Sequence, residues 1–245
     1  MREIEARELK LRQKRLEARL TGESVKPPEI WVPNFGGLTI SGPSGTGKTT
    51  TGLEMVIKYG IPVKRFRKVG AELREDIGDM LGYQDRPLSK DIELDELQAL
   101  LIREATVDNP LILEGRLAGI FKAEEVRKAK EIGIDLPVVS LLFICEFTER
   151  ISRLTNRWNE KYPQDQKTLQ EVKKGTLERE KRDLETWQKA HPELVTGNPF
   201  NPGLRDKSGK LVYDKHFSTT GKSIDEVAEE IHRFLKEKGF IKRVA

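Results

Sequence analysis

The sequence is short of cysteine, of histidine and of long apolar runs, and each shortage excludes something. One cysteine, Cys145, in 245 residues permits no intrachain disulfide framework. Standing in the apolar run from Leu136 to Cys145, it reads as a small buried hydrophobe. That apolar run is far short of the ~20 residues a membrane-spanning helix needs. The N-terminus is charged from its second residue and lacks the apolar core of a secretory signal, so a soluble, cytoplasmic protein is expected. Neither sign of charge dominates: 44 Lys and Arg against 40 Asp and Glu leave +4. Such a balance gives no single-sign surface, and neither a nucleic acid nor a membrane is expected as a partner. Internal repeats and heptad arrays are absent. None of the three histidines is among the motif residues named below, so imidazole acid–base chemistry is not expected.

Apolar residues, 36% of the chain, suffice for one core of enzyme size with a smaller lobe or two attached. Residues 1–24 alternate acids and bases around Leu9, Leu11, Leu16 and Leu20, which predicts an exposed helix with a thin apolar stripe. This N-terminal extension, residues 1–30, is closed by Pro27, Pro28 and then Pro33. Packing on its own core and contacting a partner are both open to it, and a monomer is expected. From Gly37 short apolar runs alternate with amphipathic stretches, the pattern of an α/β fold with a parallel sheet and crossover helices. Five strands are predicted, at Leu38 to Ser41, around Val63 to Val69, at Leu111 to Glu114, at Val138 to Cys145 and at His216 to Thr219. Ser223 and Glu226 form a capping box for a last helix with Val227, Ile231 and Phe234 or Leu235 on its apolar face. Residues from Arg150 to Lys189 read as polar and helical, and those from Pro192 to Gly209 as a surface loop.

Gly42-Pro43-Ser44-Gly45-Thr46-Gly47-Lys48-Thr49 matches G-x-x-x-x-G-K-[ST] between a predicted strand and a predicted helix, and Thr50 follows. Glycines let such a loop curl until successive backbone N–H groups face phosphates, and the helix adds its positive N-terminal end. Lys48 reaches β- and γ-phosphates, and the Thr49 hydroxyl is the expected Mg2+ ligand, with ATP the expected nucleotide. No Asn-Lys-x-Asp guanine-reading motif follows, which removes GTPases. Glu114, Gly115 and Arg116 end a buried strand where open α/β sheets bind ligands. Glu114 is a candidate for the Mg2+ shell, and Arg116 for bidentate phosphate contact. An acid satisfied by a helix N-terminus and an arginine in a surface ion pair are the alternatives those residues leave open. Arg150, Arg153 and Arg157 share one helical face, which serves either a phosphate or the solvent.

Gly42 to Thr49, Gly70-Ala-Glu-Leu-Arg74, Leu113-Glu-Gly-Arg-Leu-Ala-Gly119, Arg179-Glu180 with Asp183, and Tyr213-Asp214 with Thr219 occur in the order and approximate spacing of the cytidylate kinases. The sequence resembles their archaeal-type branch most closely, over most of residues 37–238. The resemblance implies a three-layer αβα P-loop NTPase domain over 37–240, with a five-stranded parallel sheet. It adds an NMP-binding insertion at about 61–106, a helical lid at about 151–178 and a loop at about 190–210. It also implies an ATP- and Mg2+-dependent kinase acting on a small-molecule acceptor, CMP or dCMP. Arg74 and Arg116 then hold the acceptor phosphate and the neighbourhood of its base, and Asp183 meets its ribose. Arg150, Arg153 and Arg157 then fall at lid-entry positions near the transferring phosphoryl group, and Arg179 at another lid position. Bacterial members carry an acid after the motif arginine, where this chain, like the archaeal branch, has Leu117. Three other readings stay open: a P-loop kinase for another nucleotide or metabolite, a non-enzymatic ATP-binding regulator, and a nucleic-acid-dependent ATPase.

Overall fold

The structure, a computed structural model, describes residues 31–59, 65–68 and 88–243. The expected N-terminal extension, Arg74 and most of the insertion before residue 88 lie outside the described residues. In chain order the elements are β1 (Trp31–Pro33), β2 (Gly37–Ser41), α1 (Lys48–Tyr59), β3 (Phe66–Lys68), α2 (Leu88–Arg103), β4 (Leu111–Glu114) and α3 (Ala118–Glu131). Then come β5 (Val138–Ile144), α4 (Phe147–Lys161), α5 (Leu169–Ala190), β6 (Lys215–Ser218), α6 (Ile224–Glu237) and β7 (Ile241–Arg243).

β3, β4, β2, β5 and β6, in that order, form one sheet in which every pairing is parallel. Because a strand turns alternate side chains to opposite faces, a sheet covered on both sides needs apolar residues at both parities. Val139, Leu141 and Phe143 of β5, with Leu38, Ile40 and Ile112, pack under α1 and α6. Val138 and Leu142, with Leu111 and Leu113, pack under α2, α3 and the end of α5. The result is a three-layer αβα domain, the P-loop NTPase fold. The capping box at Ser223 and Glu226 is formed, and a second one, Thr168 with Glu171, starts α5.

Three features differ from the sequence reading. Cys145 is half-buried, because β5 ends at Ile144 and the thiol sits just beyond the covered part of the strand. The stretch from Pro192 to Gly209 is irregular, yet Val195 is buried and Phe200 and Leu204 pack against the core on the α3 side. β1 and β7 pair antiparallel outside the 37–240 span, with Trp31 opposite Arg243 and Pro33 opposite Ile241. A proline is tolerated there because this two-stranded ribbon asks little of its N–H side. The Trp31 ring meets His232 edge-on at 5.0 Å, and the Lys236 ammonium lies 5.2 Å from its centroid.

The ribbon carries the described fold back to Trp31. A chain beginning at Trp31 should melt with its fold intact, whereas one beginning at Asn34 loses the strand and the indole. That loss is worth about 2 kcal/mol, or roughly 4–8 °C in thermal denaturation for a domain of this size. Identical melting of the two chains would show that the ribbon is dispensable.

Candidate active site

The loop between β2 and α1 takes backbone conformations that side chains resist. Gly42, Gly45 and Gly47 have φ of +142°, +84° and +83°. A Cβ on Gly42 would also stand 2.4 Å from the carbonyl oxygen of Phe143. The glycines therefore let the loop fold back over the sheet edge. Thr46 Oγ1 donates to the Pro43 carbonyl at 2.9 Å, closing the turn. Lys48 starts α1 with its side chain folded into the loop, Nζ donating to the carbonyls of Gly42 and Pro43 at 2.8 Å each. Burial pulls the Lys48 pKa from its usual 10.5 down to about 7; Glu114 opposes this, and the charges of Arg116, Arg150 and Arg179 add to it. Those four residues are thus the charged surroundings of Lys48.

The Thr49 hydroxyl donates to Glu114 Oε2 at 2.6 Å. The two residues named for Mg2+ are therefore joined, one from the P-loop helix and one from the end of β4. Hard divalent cations take oxygen ligands, and a hydroxyl beside a carboxylate fits that preference. Among the described residues no group of three His, Cys, Asp or Glu side chains could hold a metal unaided. Thr50 follows on the first turn of α1, half-buried.

Across the crevice, Arg116 leaves the carboxyl end of β4 and pairs with Asp183 of α5. Its guanidinium lies 4.6 Å from the Trp187 ring centroid and 5.5 Å from that of Phe200. Arg179 Nε also reaches Asp183, at 3.5 Å. Asp183, named as a ribose contact, thus gathers two arginines from two elements. Neither aromatic residue was picked out from the sequence. Trp187 stands one helical turn after Asp183, a spacing that could have revealed it, whereas nothing local announces Phe200.

The arginine stripe of α4 divides by depth. Arg150 is buried, donates from Nε to the carbonyl of Ser44 in the P-loop at 2.9 Å, and pairs with Glu180. Arg153 donates to the Thr219 carbonyl at 2.7 Å and to Glu149 at 2.5 Å, so it ties α4 to the end of β6. Arg157 is exposed. Of the stripe, it is Arg150 that touches the phosphate loop.

A glycine-rich loop with its lysine at the carboxyl edge of a parallel sheet, faced by an acid and several converging cations, defines the class: this is a P-loop phosphotransferase. Among known proteins the chain is similar to archaeal cytidylate kinases. It is 29% identical over 199 residues to the cytidylate kinase of Methanopyrus kandleri, covering 78% of this chain and 94% of that protein. It is 31% identical over 128 residues to the cytidylate kinase of Methanococcus maripaludis strain C5, covering 50% of this chain and 65% of that one. Among solved structures, shikimate kinase from Aquifex aeolicus aligns at a TM-score of 0.42 with 17% identity, over 83% of this chain and 98% of the other. No protein-family model matches. Among the described residues no helix is long and apolar enough to cross a membrane.

Proposed function

We propose that the protein is a nucleoside monophosphate kinase that transfers the γ-phosphoryl group of ATP to CMP or dCMP, a small-molecule reaction of the cytoplasm. The observation that carries the transferase part is the placement of Lys48 and Arg116. They stand at the carboxyl ends of neighbouring strands β2 and β4, joined by the Thr49–Glu114 hydrogen bond. Two phosphate-binding cations on adjacent strand ends present donor and acceptor to one another. The cytosine part is supported by the similarity to archaeal cytidylate kinases.

In the reaction an oxygen of the acceptor's phosphate forms a bond to the γ-phosphorus as the bridge to the β-phosphate breaks, giving ADP and a nucleoside diphosphate. The attacking oxygen is already anionic, so no side chain has to remove a proton. What the chain must supply is alignment and positive charge. P-loop N–H groups and Lys48 take the β- and γ-phosphates, Arg116 takes the acceptor phosphate, and Arg150 and Arg179 converge between them. Arg74 is assigned to the acceptor phosphate by the resemblance alone. Thr49 and Glu114 would hold Mg2+, whose charge offsets that of the β- and γ-oxygens. The helices on either side of residues 162–168 are read as the lid that excludes water from the transfer. Measuring ADP release with each nucleoside monophosphate tests the assignment. If AMP or UMP were used clearly better than both CMP and dCMP, the cytidylate reading would be abandoned and the kinase kept.

Lys48 gives this reading a proton signature. In the unliganded protein its pKa is lowered to about 7, chiefly by burial. Above that pH the lysine loses its proton, and bound polyphosphate favours the charged form again. Nucleotide binding should therefore take up protons between pH 7 and 10.5, approaching about one per site, and this group should weaken affinity as pH rises. Calorimetry in buffers of different ionisation enthalpy reads the uptake directly. Equal uptake by wild type and Lys48→Met would remove the assignment. For the unliganded fold the sign reverses: the unfolded chain holds this proton more tightly between pH 7 and 10.5, so the same group adds stability as pH rises.

A further inference from the structure

One face of α2 carries polar residues where a helix against a core would carry apolar ones. Asp91, Asp95 and Gln98 succeed one another at helical spacing and are 7%, 7% and 5% exposed. Asp95 is met from two sides. His191 Nε2 lies 2.8 Å from its Oδ2, and Gln98 Nε2 donates to its Oδ1 at 3.0 Å. Because a carboxylate only accepts, this second bond fixes which end of the Gln98 amide is nitrogen.

The oxygen end, Oε1, is then turned from Asp95 toward the end of β4. It is buried and has no hydrogen-bond partner among the described residues. Buried acceptors are nearly always satisfied, so this one asks what donates to it. Its surroundings narrow the answer. A Cβ on Gly115 would lie 2.2 Å from Oε1, so the amide oxygen stands directly against this glycine. Gly115 sits between Glu114 and Arg116, so the oxygen lies against the turn assigned to the acceptor. Leu117, the next residue, is 2% exposed in the apolar core and offers the ligand no polar group. Among the described residues at this turn, Gln98 of α2 is the one with a buried, unmet acceptor to offer the polar edge of a base.

We propose that Gln98 is a base-reading residue of the acceptor site, its Oε1 accepting a hydrogen bond from the exocyclic amino group of the acceptor's base. The inference rests on the nucleotide-kinase reading above. Asp95 holds the amide in the reading orientation, and His191 braces Asp95. A base with oxygen at that position turns an acceptor toward an acceptor, and a site built around one hydrogen bond rejects the analogue that cannot form it. CMP and UMP differ in this group.

The test compares CMP, UMP and the CMP analogue without its 4-amino group, using the full chain and its Gln98→Leu variant. Wild type should lose at least about tenfold in kcat/KM when the amino group is removed. Gln98→Leu should lose at least about tenfold with CMP while losing nothing with UMP or the analogue, neither of which donates to Oε1. Equal losses with all three acceptors would mark Gln98 as structural and overturn the proposal. So would a wild-type enzyme that used the analogue as well as CMP, a comparison that needs no variant to fold. Should AMP prove the better acceptor, the cytidylate reading falls, and Gln98 is judged separately by AMP against its analogue without the 6-amino group. Equal use of those two overturns the proposal.

Discussion

Replacing Lys48 with alanine is expected to slow phosphoryl transfer at least about a hundredfold while the protein melts within a few degrees of wild type. The loss is that of a cation on the phosphates in a closed site, commonly ~3 kcal/mol or more of transition-state stabilisation. Stability should be spared for a reason visible in the unliganded loop. Burial already works against the charge there, drawing the pKa down to about 7, so the fold gains little from keeping an ammonium in that place. What is removed is a pair of hydrogen bonds to the carbonyls of Gly42 and Pro43. Steady-state turnover and a melting curve measured on one preparation separate the two effects. Near-normal turnover would contradict the P-loop assignment, and collapse of the fold would contradict the energetic argument.

The second large effect is expected at Arg116. Arg116→Ala should lower kcat/KM for the acceptor by ~2–4 kcal/mol, roughly thirtyfold to a thousandfold, and leave KM for ATP nearly unchanged. Arg116→Lys should not restore it. The guanidinium lies over Trp187 and Phe200 while it pairs with Asp183, and a flat, forked cation can do both where an ammonium cannot. Rescue by lysine would mean that charge alone is needed. An equal rise in KM for ATP would place Arg116 on the donor side of the crevice.

The phosphate loop and the sheet were readable in the sequence for different reasons. The loop is a local motif whose glycines are required by the backbone itself, so its letters survive translation into geometry. The inner strands of the central sheet are buried on both faces, which leaves nearly continuous apolar runs such as Val138 to Ile144, broken only by the buried Ser140. β1 and β7 had no such signal. They are short, one contains proline, and each finds its partner some two hundred residues away, where only tertiary structure can bring them together. The arginines of α4 show the same limit at the site. Spacing placed Arg150, Arg153 and Arg157 on one face, but the tilt of that face against the P-loop decided that Arg150 meets Ser44, Arg153 meets Thr219 and Arg157 meets solvent. Gln98 and Asp95 were hidden by a different cause. A buried polar pair on a helix has the letters of an exposed face, and only burial tells them apart.

The ribbon of β1 and β7 brings the two ends of the folded unit together, Trp31 lying opposite Arg243. A short hairpin loop could join them, and the chain could then be opened elsewhere. The turn at Gly133 and Ile134, exposed between α3 and β5, is a place where a break would cut neither a strand pairing nor the phosphate loop. Such a circular permutant would begin at β5 and finish at α3 with every neighbour in the sheet unchanged. A permutant that folds and turns over would show that the order of synthesis is separable from the architecture of the described residues.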